Sequence, residues 1–356
     1  MKKTSLFLKS LVSLTVCLCF SSLLAAQAAE PWFLYTPPGP LPADPDARAM
    51  PLISVRGNTF VDPQGKTIVF KGIAISDPDK IERQGHWNKT HFEKVKELGA
   101  NIVRIPVHPV AWRERTPDGY LKLLDQAVEW CTELGMYVMI DWHVIGNLKM
   151  ELFQDPMYNT TQKETYEFWR TIAKHFAGNN TVAFYELFNE PTTFHGQLGS
   201  CSWTDWKTIM ENTIKLVRSY DKETIPLVAG FDWAYDLTSL HEDPIDATGI
   251  GYTVHPYAWK RSAPMEVKWE EDFGFAASEY PVFATEFGFD LSRGETLNED
   301  HYGYRIIRYL ESKGMSWTCW CFDPQWGPRV LESWDPYKLT PSGEFFQQAM
   351  QGKLKK

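Results

Sequence analysis

Tyr185-Glu186-Leu187-Phe188-Asn189-Glu190-Pro191 decides how this chain is read. The apolar run from Val182 through Phe188 has the length and composition of a buried strand, and it carries an Asn-Glu pair to the point where Pro191 should stop the ladder. A glutamate at the end of an apolar strand is either paired or working, because burying its charge is costly. The arrangement recurs where Pro281-Val282-Phe283-Ala284-Thr285 leads into Glu286-Phe287-Gly288. Two strand-end glutamates far apart in sequence can converge on one rim of a closed barrel and flank a scissile bond. Taken singly, each has a plainer use: Glu190 caps the next helix, or Glu286 pairs with an arginine such as Arg104. The pair, with the polar strand ends that lie between, favours a shared site. Glu186 has the same strand parity as Glu190, so its side chain should also point into the barrel, deeper down, as structural support.

Outward from these stretches the chain alternates. Helical periodicity at His91–Leu98, Leu121–Leu134, Lys163–Phe176, Asp205–Ser219, Met265–Ser278, Glu299–Lys313 and Glu344–Met350 separates short apolar strands. Those strands are Val69–Ile75, Asn101–Val107, Tyr137–His143, Val182–Glu190, Pro226–Phe231, Gly249–Tyr257, Val282–Glu286 and Met315–Phe322, with a short helix near Tyr235–Leu240. Eight such units with right-handed crossovers close into a (β/α)8 TIM barrel. An open doubly wound sheet would need a Gly-rich phosphate turn after the first strand, and there is none. Ahead of the barrel, Ile53–Phe60, the turn Asp62-Pro63-Gln64-Gly65 and the strand from Thr67 read as an N-terminal β-hairpin at the barrel bottom.

The 356 residues, 44% hydrophobic and 14% aromatic, are enough for one large core. Lys2, Lys3 and Lys9 precede the apolar segment Leu11–Leu24 and the small-residue site Ala26-Gln27-Ala28, so residues 1–28 read as a secretory signal peptide. Residues 29–51 read as a Pro-rich extended arm, and 52–356 as the barrel domain. Cleavage would move the formal net charge from -9 to -9 - 3 = -12. An acidic mature protein suits a neutral ligand, not nucleic acid or an anionic membrane surface. The expected location is extracellular or periplasmic and the expected state a monomer. Cys131, Cys201, Cys319 and Cys321 would remain; spacing does not reveal a pairing, and without a Cys-x-x-Cys motif they are a poor zinc set.

In a barrel, chemistry sits at the C-terminal ends of the strands. Those ends carry Arg104, His143, Asn189-Glu190, His255 and Tyr257, Glu286 and Trp320. With Arg104-Ile105-Pro106, Asp141-Trp142-His143, Leu187-Phe188-Asn189-Glu190-Pro191, His255-Pro256-Tyr257, Thr285-Glu286-Phe287-Gly288 and Trp320 in this order, the chain resembles glycoside hydrolase family 5, a family of retaining β-glycanases. That resemblance covers Ile53 to the C-terminus. It implies that Glu190 is the general acid/base and Glu286 the nucleophile, with Arg104, His143, Asn189, His255, Tyr257 and Trp320 as the other active-site positions. Nothing in the sequence calls for a cofactor or a metal.

The chemistry explains the residue types. Glu286 must be ionised to attack the anomeric carbon, and Arg104 with Tyr257 is expected to hold its pKa down. Glu190 must first donate a proton and then accept one, Asn189 is placed for a sugar 2-hydroxyl, and Trp320 for the sugar face. Trp112, Trp203, Trp206, Trp233, Trp259 and Trp326 are further candidate sugar platforms. One departure stands out: Gly72-Ile73-Ala74-Ile75-Ser76-Asp77-Pro78-Asp79 replaces the Gly-x-Asn type motif that commonly ends the family's first strand. The expected activity is that of a secreted endo-β-1,4-glucanase on cellulose-type or mixed-linkage glucan. A β-mannanase using the same glutamates is the alternative within the family, and a polysaccharide-binding barrel without catalysis the alternative outside it.

Overall fold

The computed structural model describes residues 36–40, 50–192, 195–291 and 296–354. The signal-peptide reading, 1–28, lies outside them, as does most of the 29–51 arm. Eight parallel strands form one closed barrel: β1 Lys71–Ile75, β2 Ile102–Val107, β3 Tyr137–Trp142, β4 Val182–Glu186, β5 Ile225–Ala229, β6 Gly251–Val254, β7 Val282–Ala284 and β8 Ser316–Phe322. Sequential strands are neighbours, and β8 closes the ring on β1 with Trp317 opposite Lys71. The structure bears out the barrel, and each predicted strand overlaps an observed one.

Helices flank the barrel where periodicity and caps coincide. In Gln162–Phe176, Thr165, Phe168, Trp169, Ile172 and Phe176 recur at three- and four-residue spacing and are buried, while Thr161 accepts a hydrogen bond from the Glu164 amide to start the helix. Pro117–Leu134 starts with Pro117 in its first turn and ends at Gly135 in the left-handed conformation, φ 63°. The helix expected near Tyr235–Leu240 is a 3-10 turn, Thr238–His241.

At the bottom, the hairpin turns earlier than expected. Ser54–Arg56 pairs with Thr59–Val61 across Gly57-Asn58, with Gly57 at φ 60°; the Asp62–Gly65 turn follows as a second reversal. The hairpin sets Phe60 against Phe70, Phe184 and Phe283 at ring-centre distances of 6.0, 4.9 and 6.3 Å. This apolar cluster fills the end of the barrel remote from the polar strand ends.

Candidate active site

β4 ends at Glu186, four residues before the expected end. Glu190–Pro191 instead forms a short ladder beside Ile145–Gly146, with the amides of Glu190 and Thr192 donating to Val144 and Gly146. Pro191 therefore does not stop pairing; the amides on either side carry it.

All eight sequence-predicted residues meet at the C-terminal mouth of the barrel. His143, Glu190, Tyr257, Glu286 and Trp320 line a cleft of about 830 Å³. Arg104, Asn189 and His255 lie beneath it, each with 0% exposure. Arg104 is the hub: Nε donates to Glu186 (2.6 Å), Nη1 to Glu286 (2.9 Å) and Nη2 to Asn189 (2.6 Å), with Nη2 also 3.0 Å from Asp141. Asn189 is thus held by its side-chain carbonyl oxygen, and its amide nitrogen is a buried donor with no hydrogen-bond partner among the described residues. Glu286 also accepts from the Tyr257 hydroxyl at 2.8 Å. His255 Nδ1 lies 2.9 Å from Glu190 Oε1, and its Nε2 lies 3.1 Å from Thr285 Oγ1 and 3.4 Å from Glu186. One carboxylate oxygen of Glu190, one of Glu286 and a His255 nitrogen lie within 4.8 Å of one another.

Charge and burial compete throughout this cluster. Burial alone would lower the His255 pKa, but the Glu286 charge and hydrogen bonds to Glu186 and Glu190 outweigh it and raise it to about 9. Burial alone would raise Glu186, yet Arg104 and His255 bring it down to about 2. Glu286 departs from expectation. Burial raises its pKa, assisted by Glu190, and the opposing pull of His255, Arg104 and Tyr257 does not overcome this. His143 Nδ1 lies 2.6 Å from Asp141. Burial, together with the charges of His108 and Arg104, keeps its imidazole neutral, and the ring lies parallel to Trp320, 5.4 Å away at 2°.

Glu190, His255 and Glu286 are, among the described residues, the group whose atoms could surround a metal ion. The chemistry is against it: a protonated imidazole has no free lone pair, and the Arg104 guanidinium beside Glu286 repels a cation.

Of the six candidate tryptophan platforms, Trp233, Trp259 and Trp326 line the cleft. Trp112 and Trp206 do not. They are core residues, 2% and 1% exposed, and the Trp206 indole donates to the Ala229 carbonyl. Trp203 is spent on the Asp243 carbonyl. The sequence reading did not single out Asp141, Thr253, Thr285 or Lys260. Strand parity was the available signal: Asp141 lies two before His143, and Thr253 two before His255, on the same strand faces. Thr253 and Thr285 both donate to Glu186, which lies below the cleft as strand parity implied.

The barrel, the paired glutamates at one rim and the buried arginine fit a glycoside hydrolase. A family model, cellulase (glycosyl hydrolase family 5), matches residues 61–325. The chain belongs to glycosyl hydrolase family 5. A β-glucanase of Saccharophagus degradans, solved in its native form and in complex with cellotetraose, is 42% identical at a TM-score of 0.85, covering 91% of this chain and 99% of that one. An endoglucanase of Clostridium saccharobutylicum is 25% identical over 84% of this chain, and endoglucanase E-5 of Thermobifida fusca 26% identical over 71%. The chain spans 65% and 53% of the lengths of these two relatives.

Proposed function

We propose that the protein is an endo-β-1,4-glucanase that hydrolyses cellulose-type or mixed-linkage β-glucan by double displacement. The observation that carries this is the approach of Glu190 and Glu286 across the cleft with His255, within 4.8 Å. That spacing suits the roughly 5–5.5 Å of retaining enzymes, in which no water fits between the carboxylates. Glu286, fixed by Arg104 and Tyr257 on separate oxygens, attacks the anomeric carbon. Glu190 gives its proton to the departing oxygen, and the His255 cation at 2.9 Å pairs with the carboxylate left behind. Water then yields a proton to Glu190 as it displaces Glu286. The free amide nitrogen of Asn189 is a donor for the sugar 2-hydroxyl, and Trp320 a floor for its ring.

The glucan reading is supported by the relatives named endoglucanases and by the β-glucanase solved with cellotetraose. Residues 1–28 fit a secretory signal, and no helix among the described residues is long and apolar enough to cross a membrane. The working form is a secreted monomer. The test is the initial rate of reducing-end release on carboxymethyl cellulose and on galactomannan, side by side. A clear excess on the cellulose derivative is expected; the reverse keeps the glutamates but makes the enzyme a mannanase.

A further inference from the structure

Beyond β5 the backbone does something unusual. Asp232, Trp233 and Ala234 all have positive φ, 57°, 55° and 57°. Left-handed conformation is disfavoured for residues with a Cβ, and three in succession persist only where surrounding contacts enforce them. Those contacts come largely from the loop after β6. Lys260 Nζ donates to the Asp232 carbonyl at 2.8 Å and sits 4.8 Å from the centre of the Trp233 ring. Arg261 Nη1 donates to the Asp232 carboxylate at 2.9 Å, its Nε donates to Asp272 at 2.7 Å, and its guanidinium lies 4.2 Å over Tyr235. From the loop after β3, Gln154 accepts from the Trp233 indole at 2.7 Å. Gly230 lets the chain enter the turn, because a Cβ there would come within 1.9 Å of the Asp236 carbonyl oxygen.

This turn packs against Glu190–Pro191, and Trp233 and Glu190 line the same cleft. If Glu190 protonates the departing oxygen, the sugar carrying that oxygen lies beside Glu190, in the part of the cleft that the Trp233 turn packs against. We propose that Lys260 and Arg261 are positioning residues that lock the Asp232–Ala234 turn, so that Trp233 forms the floor of the leaving-group and acceptor site. The inference rests on the glycosidase reading. It has a chemical consequence for the glycosyl-enzyme ester on Glu286. Either water or a sugar hydroxyl can bond the anomeric carbon as the ester bond breaks and Glu190 takes the proton. A sugar held on Trp233 competes with water, so the turn sets the ratio of transfer to hydrolysis.

The experiment measures that ratio with an activated aryl β-cellobioside as donor and cellobiose as acceptor, using the whole chain and its Arg261→Met, Arg261→Lys and Lys260→Met variants. The ratio is internal to each enzyme sample, so a reduced amount of folded protein does not alter it. The expected result is a fall of about tenfold in both methionine variants, equivalent to roughly 1.4 kcal/mol of acceptor binding, and partial recovery in Arg261→Lys. A ratio within about twofold of the parent in the methionine variants overturns the inference. Undiminished cleavage of the aryl cellobioside by Glu286→Gln instead brings down the glycosidase reading, which separates the two failures.

Discussion

Glu186 offers the sharpest quantitative test, because it is fully buried and its partners are all identified. It accepts from Arg104 Nε and Thr285 Oγ1 at 2.6 Å each and from Thr253 Oγ1 at 3.1 Å. Burial pushes its carboxyl up, Arg104 and His255 push it further down, and the result is about 2 against an ordinary 4.5. At about 1.4 kcal/mol per pH unit, ionised Glu186 stabilises the fold by about 3 kcal/mol. The folded value is depressed, so this contribution is complete above pH 4.5 and is lost as pH falls through 2. Glutamine mimics the protonated form. Glu186→Gln is therefore expected to lose about 3 kcal/mol at pH 7 but only about 1 kcal/mol at pH 3, measured by urea unfolding against the parent. At pH 7 the loss corresponds to a fall in Tm of about 5 °C for a barrel of this size. A deficit equal at both pH values would refute the reasoning, since it would place the cost in packing and not in the charge.

His255 makes the opposite contribution. Its folded pKa is raised from 6.5 to about 9, so its stabilisation is full below 6.5 and vanishes as pH rises through 9; His255→Gln should remove that part of the alkaline decline, and an unaltered decline would contradict it. Glu286→Gln is expected to cut turnover by about four orders of magnitude, while proton NMR of the parent reaction shows the β-anomer forming first; initial α-anomer would exclude a covalent intermediate. Cys131, Cys201, Cys319 and Cys321 are buried thiols, so a thiol reagent should find none in the native mature protein and all four after unfolding under non-reducing conditions, two fewer meaning a disulfide. A metal chelator should leave glucan hydrolysis unchanged, because the imidazole that would ligate is protonated and engaged; loss restored by added metal would show otherwise.

The barrel was legible because each strand is a short apolar run bounded by polar or turn residues, with a periodic helix before the next. The eight site residues were legible because strand parity and strand ends specify where side chains point. What escaped has physical reasons. Glu190–Pro191 pairs over two residues with Ile145–Gly146, too short for any period and dependent on a partner about 45 positions away. Pro78–Arg83 and Pro109–Arg115 were missed because helices of six and seven residues take their stability from packing and not from a pattern. Trp112 and Trp206 were offered as platforms because they lie near strand ends in sequence. Position along the chain does not say which face of a following helix a ring occupies, and both rings face inward. The rise in the Glu286 pKa was missed for a different reason: its two donors can be named from the sequence, whereas the depth of burial that opposes them cannot.

The Arg104 hub has a consequence for how the enzyme should fail. Its side chain on β2 is joined to Asp141 on β3, Glu186 on β4, Asn189 just beyond β4 and Glu286 just beyond β7. Staves on both sides of the mouth are therefore tied through one guanidinium, and none can spring outward without leaving a charge stranded in the interior. Among the described residues, this tie opposes any loosening of the mouth ahead of the rest. In a denaturant titration, loss of turnover should coincide with loss of the barrel itself, and the last native molecules in the sample should work at full speed.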